Sequence, residues 1–328
     1  CEARRDGAAK RYEQFMTYGT QGGPTHYALE DVIAEIEGGT RATIVGTGLA
    51  AVMVPLLAYL KSGEHCLMPD SVYGPARNLA NTLMKGWGIE TEFYDPAIDE
   101  AGMAALIKPN TKVVYTESPG SHTFELQDIP AIARAAHARG AKVLMDNTWG
   151  IHTFMPFQHG VDVSIQALTK YVSGHSDILL GSVCVNSEED WQIVRSTASL
   201  LGQFASPDDV YLALRGVRTM PLRLKHQFAS SLEVARWFEA QPQVLRVLHP
   251  GLPSHPQHAL FARDFTGGCS LFGVVFQPRY AIEDVFKFIN ALEFFGIGAS
   301  WGGYESLALP TTGFVTRTAG TGDFGGPM

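Results

Sequence analysis

The sequence has few cysteines, few charged side chains and no long hydrophobic run. It has four cysteines, at positions 1, 66, 184 and 269, and none of them forms a CxxC pair. This scatter argues against a zinc ribbon or a disulfide framework and favours a reducing, cytoplasmic setting. The longest apolar run, roughly residues 50–60, contains Pro55 and stops at Lys61, far short of the ~20 residues that a membrane span needs. We therefore expect no disulfide cross-links and no transmembrane helix.

Positive charge is also scarce. Lys and Arg together number 25 against 33 Asp and Glu, which gives a formal net charge of −8. No basic stretch offsets this balance, so a nucleic-acid partner is not expected. Hydrophobic residues make up 45% of the chain and charged residues 18%, a composition that buries a sizeable core and excludes disorder as a general description.

Short apolar segments alternate with helical patterns through the first part of the chain. This alternation predicts an α/β domain whose largely parallel sheet is covered by helices on both faces. Beyond Ser187 the pattern changes to long helical stretches, and the final segment, 311–328, has no periodicity. We predict an arm at 1–27, a large domain at 28–210 and a smaller α+β domain at 211–328. The predicted strands lie at 42–45, 65–68, 92–94, 113–116, 143–145, 161–166, 244–248 and 271–276, and the predicted helices at 28–37, 49–60, 129–138, 188–200, 208–239 and 282–295.

A glycine motif follows the first predicted strand. Gly46, Gly48 and Ala51 match the spacing of a dinucleotide-binding fingerprint, and Asp70 lies where a ribose-binding acid would fall. A nicotinamide-dependent dehydrogenase is therefore one interpretation. The same strand, glycines and helix would hold any phosphate on the free N–H groups of the first helical turn. The motif therefore indicates a phosphate group but not the ligand that carries it.

Two further polar residues, Asp146 and Lys170, follow predicted strands. Ligands of open α/β sheets bind at the carboxyl ends of the strands, so we expect Glu117, Ser118 and Asp146 near a common crevice. Singly, Lys170 is most simply a surface charge and Asp146 a turn residue. Together they meet the needs of a pyridoxal phosphate site, which requires a lysine to form an imine and a carboxylate to keep the ring nitrogen protonated. Tyr73 is a candidate for stacking on the ring. The histidines show no ligand spacing, and no metal site is predicted.

Several motifs occur in a fixed order along nearly the whole chain, and this order is more specific than any one of them. They are Tyr18, Gly46-Thr47-Gly48, Tyr73, Glu117-Ser118-Pro119, Asp146-Asn147-Thr148-Trp149, Thr169-Lys170-Tyr171, Gly174-His175-Ser176-Asp177 and Ser300-Trp301-Gly302-Gly303-Tyr304-Glu305-Ser306. In this order they resemble the Cys/Met-metabolism family of pyridoxal-phosphate-dependent enzymes.

The resemblance implies a fold type I, aspartate aminotransferase-like architecture, in which a large, mostly parallel α/β domain binds pyridoxal 5′-phosphate and a smaller α+β domain follows. It implies that Lys170 holds the cofactor and removes the α proton of an amino-acid substrate. Tyr73 and a neighbouring subunit's Tyr18 would assist, which implies at least a dimer and usually a homotetramer. The implied cofactor-binding residues are Gly48, Leu49, Tyr73, Asp146, Thr169, Lys170 and Tyr18, and the implied substrate-binding residues are Ser300, Trp301 and Tyr73.

A few positions indicate the branch of the family. Gly120-Ser121, Trp301 and Tyr73-Gly74-Pro75 resemble the members that break the Cβ–S bond, whereas γ-acting members usually carry Thr-Asn-Pro at the first position and Leu at the second. The implied reaction converts L-cystathionine to homocysteine, pyruvate and ammonia in methionine biosynthesis and transsulfuration. A cystathionine γ-lyase, a cystathionine γ-synthase and a methionine γ-lyase share the implied cofactor site and stay open as alternatives, as does the NAD-dependent dehydrogenase from another class.

Three positions depart from the family pattern. Thr20 stands where the family usually has an Arg that reaches a neighbour's cofactor phosphate, and Ala167 stands where many relatives have a Ser. The Arg that grips the substrate carboxylate would lie just beyond Met328, and Arg317 is not at the matching position. We expect that the chain is truncated at both ends and that it binds substrate poorly.

Overall fold

A seven-stranded sheet forms the centre of the fold. The computed structural model describes residues 16–320 and 324–328, so Cys1 and the first part of the predicted arm lie outside the described residues. The strands are β1 (Arg41–Val45), β2 (His65–Pro69), β3 (Glu90–Tyr94), β4 (Thr111–Glu117), β5 (Lys142–Asp146), β6 (Val163–Gln166) and β7 (Gly181–Val185). They follow the order β1-β7-β6-β5-β4-β2-β3; β7 is antiparallel to both of its neighbours, and the remaining pairs are parallel. The predicted α/β domain with a mostly parallel sheet is confirmed.

Helices cover both faces of this sheet. In β4, Val113 and Tyr115 pack into one hydrophobic cluster while Val114, between them, packs into the cluster on the opposite face. Since both faces are buried, the strands are apolar without alternation, which is why they read as short continuous runs. The helices are α1 (Pro24–Glu37), α2 (Gly48–Tyr59), α3 (Gly74–Leu79), α4 (Glu100–Leu106), α5 (Ile129–His137), α6 (Glu188–Leu200), α7 (Pro207–Val217), α8 (Met220–Glu239), α9 (His258–Asp264) and α10 (Ile282–Asn290).

Two small sheets follow the central one along the chain. Strands β8 (Val244–Leu248) and β9 (Gly273–Phe276) form an antiparallel pair, and β10 (Gly296–Ile297) and β11 (Leu307–Ala308) form a short parallel pair. The division at residue 210 stays a prediction. In the described part of the chain, no helix combines the length and the apolar character that crossing a bilayer would require.

Two predicted helices differ from the structure. The stretch 208–239 is two helices, because the chain breaks after Val217 and restarts at Met220, with Pro221 in the first turn of α8. Proline has no N–H to donate within a helix, so it is tolerated at a helix start and not inside one. The helix predicted over 282–295 ends at Asn290, because the apolar residues that follow it lead into β10 instead.

The carboxyl ends of six strands meet at one edge of the sheet. Strands β2 to β6 run in one direction, and β1 shares it because two antiparallel steps through β7 separate it from β6. The residues at or just after these ends include Gly46, Asp70, Glu117, Asp146 and Ala167. This edge therefore collects the loops that carry most of the motifs.

A buried histidine lies beside the β8–β9 pair. His249 is fully buried, and the Gly251 N–H donates to its Nδ1 at 3.0 Å. Its Nε2 therefore carries the proton and donates to Ser231 Oγ at 3.0 Å. Burial lowers the pKa of His249 to about 4.

We expect the protein to lose stability as the pH falls from 6.5 towards 4. An unfolded histidine takes up a proton near pH 6.5, whereas the folded state keeps His249 neutral down to about pH 4. Between these values the unfolded chain binds more protons, so the free energy of unfolding decreases by up to about 1.4 kcal/mol per pH unit for this site. Urea unfolding at several pH values measures this slope. His249→Gln should flatten the slope and His226→Gln, at an exposed position, should not; equal slopes in all three proteins would contradict the assignment.

Candidate active site

The loop from β1 into α2 forms one wall of the crevice. Thr47 caps α2, because its hydroxyl accepts the Ala50 N–H at 3.0 Å. The N–H groups of Gly48 and Leu49 lie in the first turn, where no intrahelical acceptor exists. A Cβ on Gly48 would lie 2.8 Å from the Cβ of Ala167, so glycine lets the helix start approach the loop after β6. The result is a helix N-terminus that offers free donors to an anion.

Lys170 lies in the loop that follows β6. Its Nζ donates to Ser300 Oγ at 2.8 Å and lies 5.2 Å from the centre of the Trp301 ring. Burial lowers the pKa of Lys170, and the Asp146 carboxylate acts in the opposite sense. The structure thus brings together an amine of reduced basicity and two of the predicted substrate-binding residues.

Asp146 ends β5 and is held by the turn that follows it. The Thr148 N–H and hydroxyl donate to its Oδ1 at 3.0 and 2.6 Å, which leaves Oδ2 for another partner. The Thr148 hydroxyl also accepts the Ala167 N–H at 2.9 Å, so the acid is tied to the loop that bears Lys170. Burial raises the pKa of Asp146, although Thr148 and Lys170 oppose the shift.

Tyr73 lies in the loop between β2 and α3. Its side chain is 41% exposed, and its N–H donates to Glu117 Oε2 at 2.7 Å. Burial, with Asp146 and Glu117 adding to it, raises the pKa of the Tyr73 phenol. The hydroxyl therefore stays protonated at neutral pH.

The other predicted site residues differ in how closely they join this group. The Thr169 hydroxyl donates to the Leu180 carbonyl at 3.1 Å and accepts the Leu180 N–H at 3.0 Å, so it first braces its own loop. Leu49 is 42% exposed at the start of α2. Tyr18 is 74% exposed, and within residues 16–320 and 324–328 its side chain is not brought against Lys170 or Asp146.

A distant segment of the chain, 300–306, closes over Lys170. Gly302 has φ +83°, and a Cβ there would lie 2.9 Å from the Lys170 carbonyl carbon and 3.0 Å from its Cα. The segment is fastened nearby, since Ser176 Oγ donates to Glu305 at 2.6 Å and the Gln227 amide donates to the Gly303 carbonyl at 3.2 Å. Glycine at 302 is required for this close approach.

Sequence reasoning missed a buried acid below the site. Glu37 ends α1, is fully buried, and accepts from the Gln166 amide at 2.8 Å, from the Asn147 amide at 3.3 Å and from Ser164. Burial raises its pKa to about 7. Because Asn147 follows Asp146, this network supports the turn that holds the site acid. At the end of a helix Glu37 looks like a surface residue, so no local pattern indicates its burial.

Asp70, which the dehydrogenase interpretation assigns to a ribose, instead binds backbone N–H groups of the C-terminal segment. It accepts the N–H groups of Thr318, Ala319 and Gly320 at 2.6 to 3.0 Å and pairs with Arg77 at 2.5 Å. Burial opposes ionisation, but these donors outweigh it and lower the pKa of Asp70. The acid anchors the C-terminal segment and has no oxygen left for a ribose.

Among residues 16–320 and 324–328, one group of side chains of metal-ligand type occurs away from the crevice. His65, Glu90 and Glu92 place ligand atoms within 4.8 Å of one another. The Lys108 ammonium lies 2.8 Å from a carboxylate oxygen of each glutamate. One of the two negative charges is therefore already balanced by the Lys108 ammonium, which lies where a cation would have to bind.

Comparisons with known proteins establish the family. The family model described as "Cys/Met metabolism PLP-dependent enzyme" matches residues 2–315. The chain belongs to this family and is a pyridoxal-phosphate-dependent enzyme, which decides against the dehydrogenase. It is 50% identical over 300 residues to a putative cystathionine β-lyase of Rhizobium johnstonii, covering 90% of this chain and 75% of that protein.

Two further comparisons agree. The chain is 38% identical over 333 residues to the cystathionine β-lyase MetC of Escherichia coli, covering all of this chain and 84% of that protein. The crystal structure of metB from Corynebacterium glutamicum matches with a TM-score of 0.88 and 29% identity, covering 92% of this chain and 77% of that one. The predicted fold type I architecture is confirmed.

The residues at the crevice fit the cofactor of this family. The free N–H groups at the start of α2 suit a phosphate, the unused Oδ2 of Asp146 suits a protonated ring nitrogen, and the Lys170 amine suits an aldehyde. The close approach of Gly48 to Ala167 places the first of these groups beside the loop that carries the third.

We expect Gly302→Ala to disturb this site more than a glycine replacement of similar backbone strain elsewhere. The new Cβ would press on the Lys170 backbone, so Ser300 and Trp301 must retreat. We expect a loss of about 1–3 kcal/mol in the free energy of unfolding and at least a tenfold fall in kcat/KM for an amino-acid substrate. Gly313→Ala is the control, because Gly313 has φ +94° with open space around it. Equal losses in the two variants would show that strain alone is responsible.

Proposed function

We propose that the protein is a carbon–sulfur β-lyase that cleaves L-cystathionine to homocysteine, pyruvate and ammonia. The observation that carries this proposal is the contact of Trp301 and Ser300 with the Lys170 amine, in a chain half identical to a putative cystathionine β-lyase. Gly120 gives further support: a Cβ there would lie 2.4 Å from Ser71, so the Thr that γ-acting relatives usually carry has no room.

In this proposal the cofactor is held at several points. The N–H groups of Gly48 and Leu49 would bind its phosphate, Asp146 would hold its ring nitrogen, Tyr73 would stack on its ring and Lys170 would bond to it, with Thr169 bracing the lysine loop. When bound, pyridoxal phosphate supplies an electron sink for the pair released as the substrate Cα–H bond breaks. The Thr148 hydrogen bonds and the Lys170 amine favour the charged form of the buried Asp146 carboxylate, and pairing with a protonated nitrogen requires that form.

Once the amino group of the substrate has displaced Lys170 from the cofactor, the freed Lys170 amine would move the α proton. Burial lowers the pKa of its amine, so a larger share of it is neutral and able to accept a proton at neutral pH. Ser300 Oγ, 2.8 Å from Nζ, orients that amine towards one side of the crevice. Tyr73, whose phenol stays protonated, donates a proton towards the leaving sulfur.

The oligomeric state and the cellular location that we propose are those that the family resemblance implies. The exposed Tyr18 side chain is available to a neighbouring subunit's site, which supports a homotetramer built from site-sharing dimers. The free cysteines Cys66, Cys184 and Cys269 are buried thiols, which suits a cytoplasmic enzyme of methionine biosynthesis.

The identity of the products tests the proposal. Incubation of the protein with pyridoxal phosphate and L-cystathionine should yield pyruvate and homocysteine in equal amounts. 2-Oxobutyrate and cysteine would instead identify a γ-lyase. Lactate dehydrogenase with NADH detects both keto acids, and chromatography of the thiols separates homocysteine from cysteine.

Lys170→Ala tests the cofactor attachment. Borohydride reduction should fix the cofactor irreversibly on the wild-type chain, and mass spectrometry of a digest should find it on the peptide containing Lys170. The alanine variant should carry no fixed cofactor, because the amine is gone. Lys142→Ala, at the start of β5 and the far end of the sheet, is the control and should label like the wild type. Labelling of Lys170→Ala would refute the assignment.

A further inference from the structure

Glu117 has no part in the chemistry proposed above, yet it is buried at the centre of the site. It ends β4 and is 7% exposed. One oxygen, Oε2, accepts the Tyr73 N–H at 2.7 Å, and the other, Oε1, contacts Ser121 Oγ at 2.6 Å. A single carboxyl group therefore joins two loops, one from the end of β2 and one from the end of its own strand.

The group is itself held rigidly. The Glu117 N–H donates to Gln127 Oε1 at 2.9 Å, and the Gln127 amide donates to the Tyr94 hydroxyl at 2.9 Å. That hydroxyl donates to the Tyr115 carbonyl at 2.8 Å. Each of these polar side chains is buried, so the position of Glu117 is set by a satisfied network and not by solvent.

The charges around Glu117 favour its neutral form. Asp146 lies in register with it on β5, and the other titratable groups that act on it or border it are the phenols of Tyr73 and Tyr115. Among the described residues no Lys, Arg or His pairs with its carboxyl. Burial and the Asp146 charge raise the pKa of Glu117. The carboxyl accepts the Ser121 hydroxyl on Oε1 and the Tyr73 N–H on Oε2.

Tyr73 is the residue that this arrangement controls. It precedes Gly74, the first residue of α3, and its ring is partly exposed while its backbone is held. A ring on a solvent-facing loop keeps one position only if the backbone beneath it is fixed. Glu117 supplies that fixed point from the rigid end of a central strand.

We propose that Glu117 is a positioning residue, which fixes the Tyr73 backbone and Ser121 so that the Tyr73 ring has one defined place at the cofactor. The inference rests on the cofactor site of the proposed function and not on the choice between β and γ cleavage. It assigns to the glutamate of the Glu-Ser-Pro motif a role exerted through another residue.

Three variants and one double-mutant cycle test this role. Glu117→Gln keeps an acceptor for the Tyr73 N–H and an amide group that hydrogen-bonds the Ser121 hydroxyl, and should bind pyridoxal phosphate within about twofold of the wild type. Glu117→Leu removes both bonds and should bind it about tenfold more weakly, as expected for the loss of one or two buried hydrogen bonds. Its bound cofactor should also show reduced circular dichroism in the visible range, which reports the fixed geometry of the ring. In a Tyr73→Ala background, Glu117→Leu should have almost no further effect on affinity.

A control separates positioning from general stability. Asp190→Leu removes an acid that bonds Tyr59 and Lys142 at the opposite end of the strands. It should lower Tm and leave cofactor affinity and visible dichroism unchanged. If Glu117→Leu behaves in the same way, or if its effect persists undiminished in the Tyr73→Ala background, the proposal is overturned.

If Glu117→Leu does not fold, Glu117→Asp tests the proposal in its place. The aspartate keeps the acid but is one methylene too short to reach the Tyr73 N–H, so wild-type cofactor affinity in Glu117→Asp would overturn the proposal. These measurements use the cofactor alone. Failure to form pyruvate from cystathionine would therefore overturn the proposed function while the coupling between Glu117 and Tyr73 still stood.

Discussion

Two carboxyl groups, those of Glu117 and Asp146, occupy paired positions at the ends of adjacent parallel strands. Burial makes a full charge on both of them costly, and hydrogen bonds and a nearby amine offset part of that cost. Thr148 donates twice to Asp146, and the Lys170 amine lies near enough to oppose the rise that burial causes in the pKa of Asp146. The Tyr73 N–H donates to Glu117. The loops of the site are therefore arranged so that the charged form of Asp146 is favoured and the carboxyl group of Glu117 is hydrogen-bonded.

This need connects the fold to the proposed chemistry. Parallel strands place their carboxyl ends along one edge, and hydrogen-bond register fixes which residues are neighbours there. In this sheet the register places an acid beside an acid, and the turn Asp146-Asn147-Thr148 and the loop at Lys170 supply donors. The acid Glu37 and its amide partners hold that turn from below. If Glu37, the turn at Asp146 or the loop at Lys170 lost its polar groups, a buried polar group of a neighbouring part would lose its hydrogen-bond partner. The site and the interior beneath it therefore form one unit.

Most of the edge could be predicted from the sequence because each strand is a short apolar run that ends in a polar motif. The positions of Asp146 and Lys170 follow from this pattern. Ser300 lies 130 residues from Lys170, so no local spacing predicts their contact, and only the order of the family motifs assigns Ser300 and Trp301 to the same site. Glu37 could not be predicted, because its burial depends on the tertiary contact of α1 with β6. The break between α7 and α8 was missed because apolar periodicity continues across it, and only Pro221 marks the new start.

The contact of Gly302 with Lys170 involves the backbone of the lysine and not its side chain. The closing segment approaches the lysine through backbone atoms and is fastened nearby by the bonds of Ser176 to Glu305 and of Gln227 to Gly303. The side chains at 300 and 301 take no part in these contacts and can change during evolution while the contacts remain. A lineage that retained glycine at 302 would be able to change its substrate by replacing two neighbouring residues, while the amine and the sheet beneath it stayed as they are.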